Sequence, residues 1–236
     1  MGLCRFYELE IACRGRPDAI TGYLVDIKRI DQAVRSAAAP ILRRVCAETP
    51  QAEPSRVLGE VAIAVGSALE GLAPRIRWSL TPYHSFEMAS NDTQSVLIRE
   101  RFDFSASHRL HSPSLSDDEN RAVFGKCNNT NGHGHNYQVE PCVEVDLAQA
   151  DEAPFGLAAL ERLTDEIIID AFDHRHLNLD TDAFDDATLP SVENIARVFY
   201  ERLDPAVRSA SSAARLRSIT VWETDRTSCT YPAGSA

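Results

Sequence analysis

This chain has no CxxC pair, only two tryptophans and two methionines, and no excess of positive charge. Its six cysteines, Cys4, Cys13, Cys46, Cys127, Cys142 and Cys229, are scattered. That spacing excludes a paired-cysteine zinc or redox framework. No apolar run approaches the roughly 18 residues of a membrane-spanning helix, so no membrane partner is expected. The opening MGLCRFYELEIACRGR carries charge within any apolar stretch and does not read as a secretion leader. Free thiols in the cytoplasm are therefore the expectation. A formal net charge of -11 argues against non-specific nucleic-acid binding, which needs a basic footprint.

What is present is an ordinary globular composition. The 236 residues are 44% hydrophobic and 25% charged, enough for one compact domain or two small ones. FYELEIACR (6–14) reads as a strand and Asp18 to Gly22 as a turn. Leu24, Ile27, Ile30, Val34 and Ala38 recur at helical spacing, and Pro40 is expected to close that helix. A second helix is expected over about 55–70 and a strand over about 74–88.

A similar order recurs later. NYQVEPCVEV (136–145) reads as a strand, DEAPFG (151–156) as a turn, and 157–171 as a helix. Ser191 is placed to cap a helix whose apolar face is Val192, Ile195, Val198, Phe199 and Leu203. LRSITVW (216–222) reads as a strand continued by SCTY. FYELE parallels NYQVE, and RIRWSL parallels RSITVW, which sets Ser79 against Glu223. The pattern predicts an internal duplication. The expected division is 1–90 and 91–236, with the distinctive chemistry confined to the second part.

That chemistry centres on His108, His133 and His135. His133 and His135 are two apart, so on a strand both rings point to one face. His108 lies on the preceding strand-like RERFDFSASHRL, and a hairpin-like return brings it alongside. Three imidazoles with one position left open suit a catalytic zinc ion. Other divalent ions fit the same spacing. His111, beside Ser112 and Pro113, is expected to face solvent.

Cys127 follows Lys126 in an Asn- and Gly-rich loop, a setting that favours a thiolate; a loop cysteine with no role is the plainer reading. In FDHRHLN (172–178), Asp173 can orient His174 and raise its basicity. The same residues also suit a helix end or a second metal site. His176 is left without a role. Glu223, after Trp222, is a carboxylate placed to anchor an amidine-like ring edge.

Together the stretches FSASHRL, LSDDENRAVFGKCNNTNGHGHNYQVE, FDHRHLNLD, LPSVENIA and WET…Y resemble the 6-pyruvoyl-tetrahydropterin and 6-carboxytetrahydropterin synthase family, in the family's order across 98–231. The resemblance implies an α+β tunnelling fold: an antiparallel sheet with helices on one face, assembling into an oligomeric barrel. It implies zinc on His108, His133 and His135, a catalytic thiol at Cys127 and a proton relay at Asp173 and His174. Glu223 is implied as the pterin anchor, contributed across a subunit interface, with Ser191 near the pterin. The implied substrate is 7,8-dihydroneopterin triphosphate. The product is either 6-pyruvoyl-tetrahydropterin or 6-carboxytetrahydropterin, without an external redox cofactor. A homo-oligomer with sites between subunits follows.

Residues 1–90 depart from that pattern. They hold no zinc histidines and no matching cysteine, with Arg43 and Arg44 roughly where Asp173 and His174 would stand. They read as a catalytically degenerate half. Two other functions stay open: another tunnelling-fold pterin reaction, such as dihydroneopterin aldol cleavage, or a metal- or pterin-binding protein without catalysis.

Overall fold

The computed structural model describes residues 7–72, 74–149 and 155–233. Cys4 and most of the 151–156 turn lie outside them. The chain divides into two compact units, 1–98 with 144–150, and 99–143 with 151–236. No helix among the described residues is long and apolar enough to cross a membrane.

In the first unit, strand β1 is Glu8–Ala12. The Asp18 turn follows, its carboxylate accepting from the Ile20 and Thr21 N–H groups and the Thr21 hydroxyl. Asp26 then caps α1 (Ile27–Ala33) by accepting from Lys28 N–H. A five-residue π turn, Val34–Ala38, joins it to α2 (Ala39–Glu48). Pro40 therefore does not end the helix as expected. Ala39 N–H reaches back to Val34 O, so the register shifts just before the residue that has no N–H to give. Pro40 then sits in the first turn of α2, where that lack is tolerated.

Helix α3 (Pro54–Ala68) buries Val57, Leu58, Val61 and Val65. They pack on β2 (Arg75–Ser79) and β3 (His84–Ala89), which contribute buried Ile76, Trp78, Phe86 and Met88. The single strand expected over 74–88 is thus a hairpin. Thr81 Oγ1 accepts from the N–H groups of Tyr83 and His84 and turns the chain around Pro82. Strand β1 pairs antiparallel with β2, β2 with β3, and β3 neighbours β4 (Asp92–Glu100).

In the second unit the sheet is built on β5 (Phe102–His108) and β6 (His133–Asp146), antiparallel and in register from Phe102↔Val139 to His108↔His133. The short β7 (Arg175–His176) adds in parallel to β5. On the other side, β8 (Ala214–Thr224) pairs with β6, and β9 (Thr227–Tyr231) with β8. The helical layer comprises α5 (Leu157–Thr164), a π turn (Asp165–Ile169), α6 (Asp170–Phe172) and α7 (Val192–Ala210). Helix α7 packs on β8 and β9. Phe104, Tyr137, Phe172, Ile195, Phe199, Leu203 and Val221 are all buried. Each such side chain stabilises the fold by about 1.5–3 kcal/mol. Phe172 and Phe199 meet at 4.8 Å, and Phe104 stacks on Tyr137 at 4.9 Å.

The loop between β5 and β6 holds a helix the periodicity did not show, α4 (Asp117–Phe124). Its start is a capping box: Ser116 Oγ accepts from Glu119 N–H, and Glu119 Oε2 from Ser116 N–H. The local signal was present as Ser-Asp-Asp-Glu.

Candidate metal centre

Strand alternation builds the centre. Ala106 and His108 share one face of β5; His133, His135 and Tyr137 share the matching face of β6. The pairing His108↔His133 sets the two rings side by side. His108 Nε2 lies 3.1 Å from His133 Nε2. One nitrogen from each of the three histidines lies within 4.8 Å of the others.

The tautomer of His108 follows from its other nitrogen. Nδ1 is 2.7 Å from the Pro190 carbonyl oxygen, which can only accept, so Nδ1 carries the proton. Nε2 is then a bare lone pair aimed at its neighbours. Burial holds His108 neutral, pushing its pKa down to about 4, with His133 and His135 adding repulsion against the favourable Pro190 bond. His133 is lowered as well, first by burial and then by His135.

Glu223, on β8, joins this group from the same chain. Its Oε1 is 3.4 Å from His108 Nε2 and 3.6 Å from His135 Nε2. With His108 neutral, the 3.4 Å approach is not an ion pair. His108 Nε2 and Glu223 Oε1 converge as acceptors, beside a buried His135 Nε2 that lacks a hydrogen-bond partner. That arrangement fits a cation. Zinc–nitrogen bonds of about 2.0–2.1 Å in tetrahedral geometry set ligand nitrogens roughly 3.3 Å apart, close to the His108–His133 spacing. The Pro190 carbonyl is the outer partner that orients a metal-binding imidazole.

Tyr137 forms the floor. Its ring meets His108 and His135 edge-on. Its hydroxyl is buried without a hydrogen-bond partner. Burial raises its pKa, and the charges of Glu223 and Cys127 raise it further. Cys127 is half-buried in the 3₁₀ turn Gly125–Asn128, and its carbonyl oxygen accepts from Leu110 N–H, two residues past His108.

Gly132 sets the entry to β6. Its φ is +73°, and a β-carbon there would lie 2.8 Å from His176 Nε2 and 2.9 Å from the His108 carbonyl oxygen. Only glycine meets both demands. His176, unassigned from sequence, is therefore the ring packed against this turn.

Asp173 and His174 lie elsewhere. Asp173 accepts from Ser105 N–H and His174 Nδ1, both at 2.8 Å. Burial opposes its charge, but the Ser105 and His174 bonds prevail and lower its pKa. His174 has φ 55° and a side chain 81% exposed. It borders an open depression of about 590 Å³ with Ser105, Ser107, Asn136 and Asp180, which His135 and His176 also line. Ser105, Ser107 and Asn136 alternate with the metal-side residues and point to the opposite sheet face. Among the described residues, no hydrogen bond links the Asp173–His174 pair to Cys127.

Ser191 caps α7, its Oγ accepting from Asn194 N–H at 3.4 Å. His111 does not simply face solvent as expected; its Nδ1 is 3.0 Å from Asn128 Oδ1. From sequence, Gly132 and Tyr137 have no role, and Pro190 only that of opening a helix with Ser191. Glycine before the HGH motif was a visible signal; a backbone carbonyl 82 residues from His108 was not.

An α+β tunnelling fold with a three-histidine cluster able to hold a metal defines the class of molecule. A family model described as 6-pyruvoyl tetrahydropterin synthase matches residues 97–233. The chain belongs to that family. It is 38% identical to human 6-pyruvoyl tetrahydrobiopterin synthase over 57% of this chain and 89% of the human protein. It is 38% identical to the putative Caenorhabditis elegans enzyme of the same name, over 58% of this chain and 94% of that protein. The solved structure of Caenorhabditis elegans 6-pyruvoyl tetrahydropterin synthase is 37% identical, with a TM-score of 0.49, over 58% of this chain and 94% of that one.

Proposed function

We propose that the chain is a zinc-dependent lyase acting on 7,8-dihydroneopterin triphosphate. The observation that carries this is the convergence of three imidazoles and Glu223, in a chain whose similar proteins are named as 6-pyruvoyl tetrahydrobiopterin synthases. The reading favoured is loss of triphosphate with internal redox to 6-pyruvoyl-tetrahydropterin. The carboxy-forming outcome differs in also releasing a two-carbon fragment as acetaldehyde.

His108, His133 and His135 hold the ion. When bound, it supplies Lewis-acid polarisation of a substrate hydroxyl oxygen. Cys127 takes and returns protons at the side-chain carbons. The Glu223 carboxylate accepts hydrogen bonds from the pterin amidine edge, and Ser191 stands beside the ring. His174, oriented by Asp173, moves the second proton. Both electrons stay within the substrate.

In this proposal His174 serves the centre of another chain. The 81% exposure of its side chain supports that reading, and with it a homo-oligomer whose sites lie between subunits. Residues 1–90 act as a non-catalytic copy of the second half. Supporting this, the chain from β1 and again from β6 runs strand, helices, strand, hairpin strand, the second time with the short β7 added. In both runs the helix after the strand breaks into a five-residue π turn after seven or eight residues, at Val34–Ala38 and at Asp165–Ile169.

The deciding experiment incubates the zinc-loaded chain with 7,8-dihydroneopterin triphosphate and weighs the products. A tetrahydropterin with a pyruvoyl side chain and free triphosphate is expected. The carboxy product with acetaldehyde would move the assignment within the family. No turnover by the metal-replete protein overturns it.

A further inference from the structure

Arg109 directly follows the ligand His108, and its guanidinium is spent on one neighbouring loop. Nε donates to the Asn128 carbonyl oxygen at 3.3 Å and Nη2 to Asn128 Oδ1 at 3.2 Å. Leu110 N–H adds a bond to the Cys127 carbonyl oxygen at 2.9 Å. His111 Nδ1, at 3.0 Å, donates to the second lone pair of Asn128 Oδ1. With that proton committed, the 3.3 Å approach of Arg109 Nη2 to His111 Nδ1 is a contact rather than a bond.

Three successive residues after His108 thus grip Cys127 and Asn128. The Arg109 backbone is itself fixed, since its N–H donates to Asn178 Oδ1 and its carbonyl accepts from Asn178 Nδ2. The grip therefore runs from the end of β5 to the four-residue 3₁₀ turn that holds Cys127.

We propose that Arg109 is the positioning residue of the thiol: through Asn128 it holds Cys127 in register with the metal-ligand strand. This rests on the reading of Cys127 as the proton-transfer group. The competing role, a direct grip on the substrate's phosphates, is disfavoured by the surroundings. The cavity of about 250 Å³ beside Arg109 is also lined by Asp185 and Asp186, which repel a polyanion. A planar fork on a carbonyl pair is also geometry that lysine reproduces only in part.

The test compares Arg109→Gln, Asn128→Ala, their double variant and Arg109→Lys in the full-length, zinc-loaded chain. Four quantities are read: kcat, KM, zinc per chain, and the rate of Cys127 alkylation by iodoacetamide, scored on its own peptide by mass. Each single variant is expected to lower kcat about tenfold, roughly 1.4 kcal/mol, with KM and zinc content held. Cys127 alkylation is expected to quicken about threefold or more as the loop loosens. The double variant is expected to be no worse than the worse single, the signature of one shared contact. Lysine is expected to recover part of the loss.

An unchanged Cys127 alkylation rate in Arg109→Gln and Asn128→Ala overturns the proposal. So does a rise in KM with kcat kept, which marks a substrate contact instead. The alkylation arm needs no turnover, so it decides this proposal even if the chain fails to act on the pterin.

Discussion

His108 donates its Nδ1–H to the Pro190 carbonyl at 2.7 Å, one residue before the cap of α7. This bond selects the ring nitrogen that faces His133, and it ties the ligand strand to the helix layer. The metal centre and the hydrophobic core are thereby coupled, so damage at either should be read in the other.

Removing a ligand should show that coupling. His133→Ala is expected to drop zinc from about one ion per chain to a trace, measured by elemental analysis after dialysis. Chelating the parent should lower its melting temperature, since binding to the folded state alone adds about 2.7 kcal/mol at a hundredfold excess over Kd. A metal-free parent that melts with the loaded one would contradict the site.

Acid should destabilise the metal-free protein in a defined window. His108 has a folded pKa of about 4 against 6.5 for the free side chain. The unfolded chain then binds its proton first as pH falls. The contribution is complete above about 6.5 and is lost progressively down to about 4, roughly 3 kcal/mol at most. His108→Gln should flatten that part of the pH–stability curve. Urea melts at a series of pH values, parent against variant, measure it.

Glu223→Gln separates two roles. A pterin anchor predicts retained zinc and a KM raised by about tenfold or more, since a hydrogen bond to a charged group contributes about 1.5–3 kcal/mol. A metal ligand predicts zinc loss. The 3.4 Å approach to His108 makes the comparison informative. Equilibrium binding of a pterin and metal content, on one preparation, distinguish them.

Gly132→Ala should weaken the centre without touching a ligand. The left-handed φ costs about 1–3 kcal/mol, and the added carbon meets the His108 carbonyl at 2.9 Å. A melting point lower by several degrees and weakened zinc affinity are expected. Wild-type values for both would show that the turn adapts freely.

His174→Asn tests the site between chains. Asparagine tolerates the φ of 55°, so stability should hold within about 0.5 kcal/mol, while kcat falls about 10²–10⁴-fold. Co-refolding His174→Asn chains with Cys127→Ala chains should restore a fraction of the activity if one chain's relay serves another's thiol. No recovery in a mixed oligomer would place both groups on one chain's site.

Much of this was legible in the residues. The HGH spacing put two rings on one strand face, and the Ser191 cap and the α7 apolar face stood where the pattern placed them. These features are local, set by a period of two or 3.6 residues and by one side chain bonding a nearby N–H. The misread elements involve competition between local rules. Pro40 reads as a stop until a π turn shifts the register ahead of it. The Ser116 capping box was hidden in a segment too short and polar to show an apolar period.

By itself, the sequence singled out the side chains to which the proposed chemistry is assigned: three imidazoles, a thiol, an Asp–His pair and a glutamate. Tertiary structure alone decided how they are divided. The β5–β6 register set His108 beside His133, and β8 brought in Glu223 across 88 residues of chain. The same pleat turned Ser105, Ser107 and Asn136, which line the depression beside His174, to the opposite face. The reason is that strand alternation states which residues share a face, but only the pairing of distant strands states which faces meet.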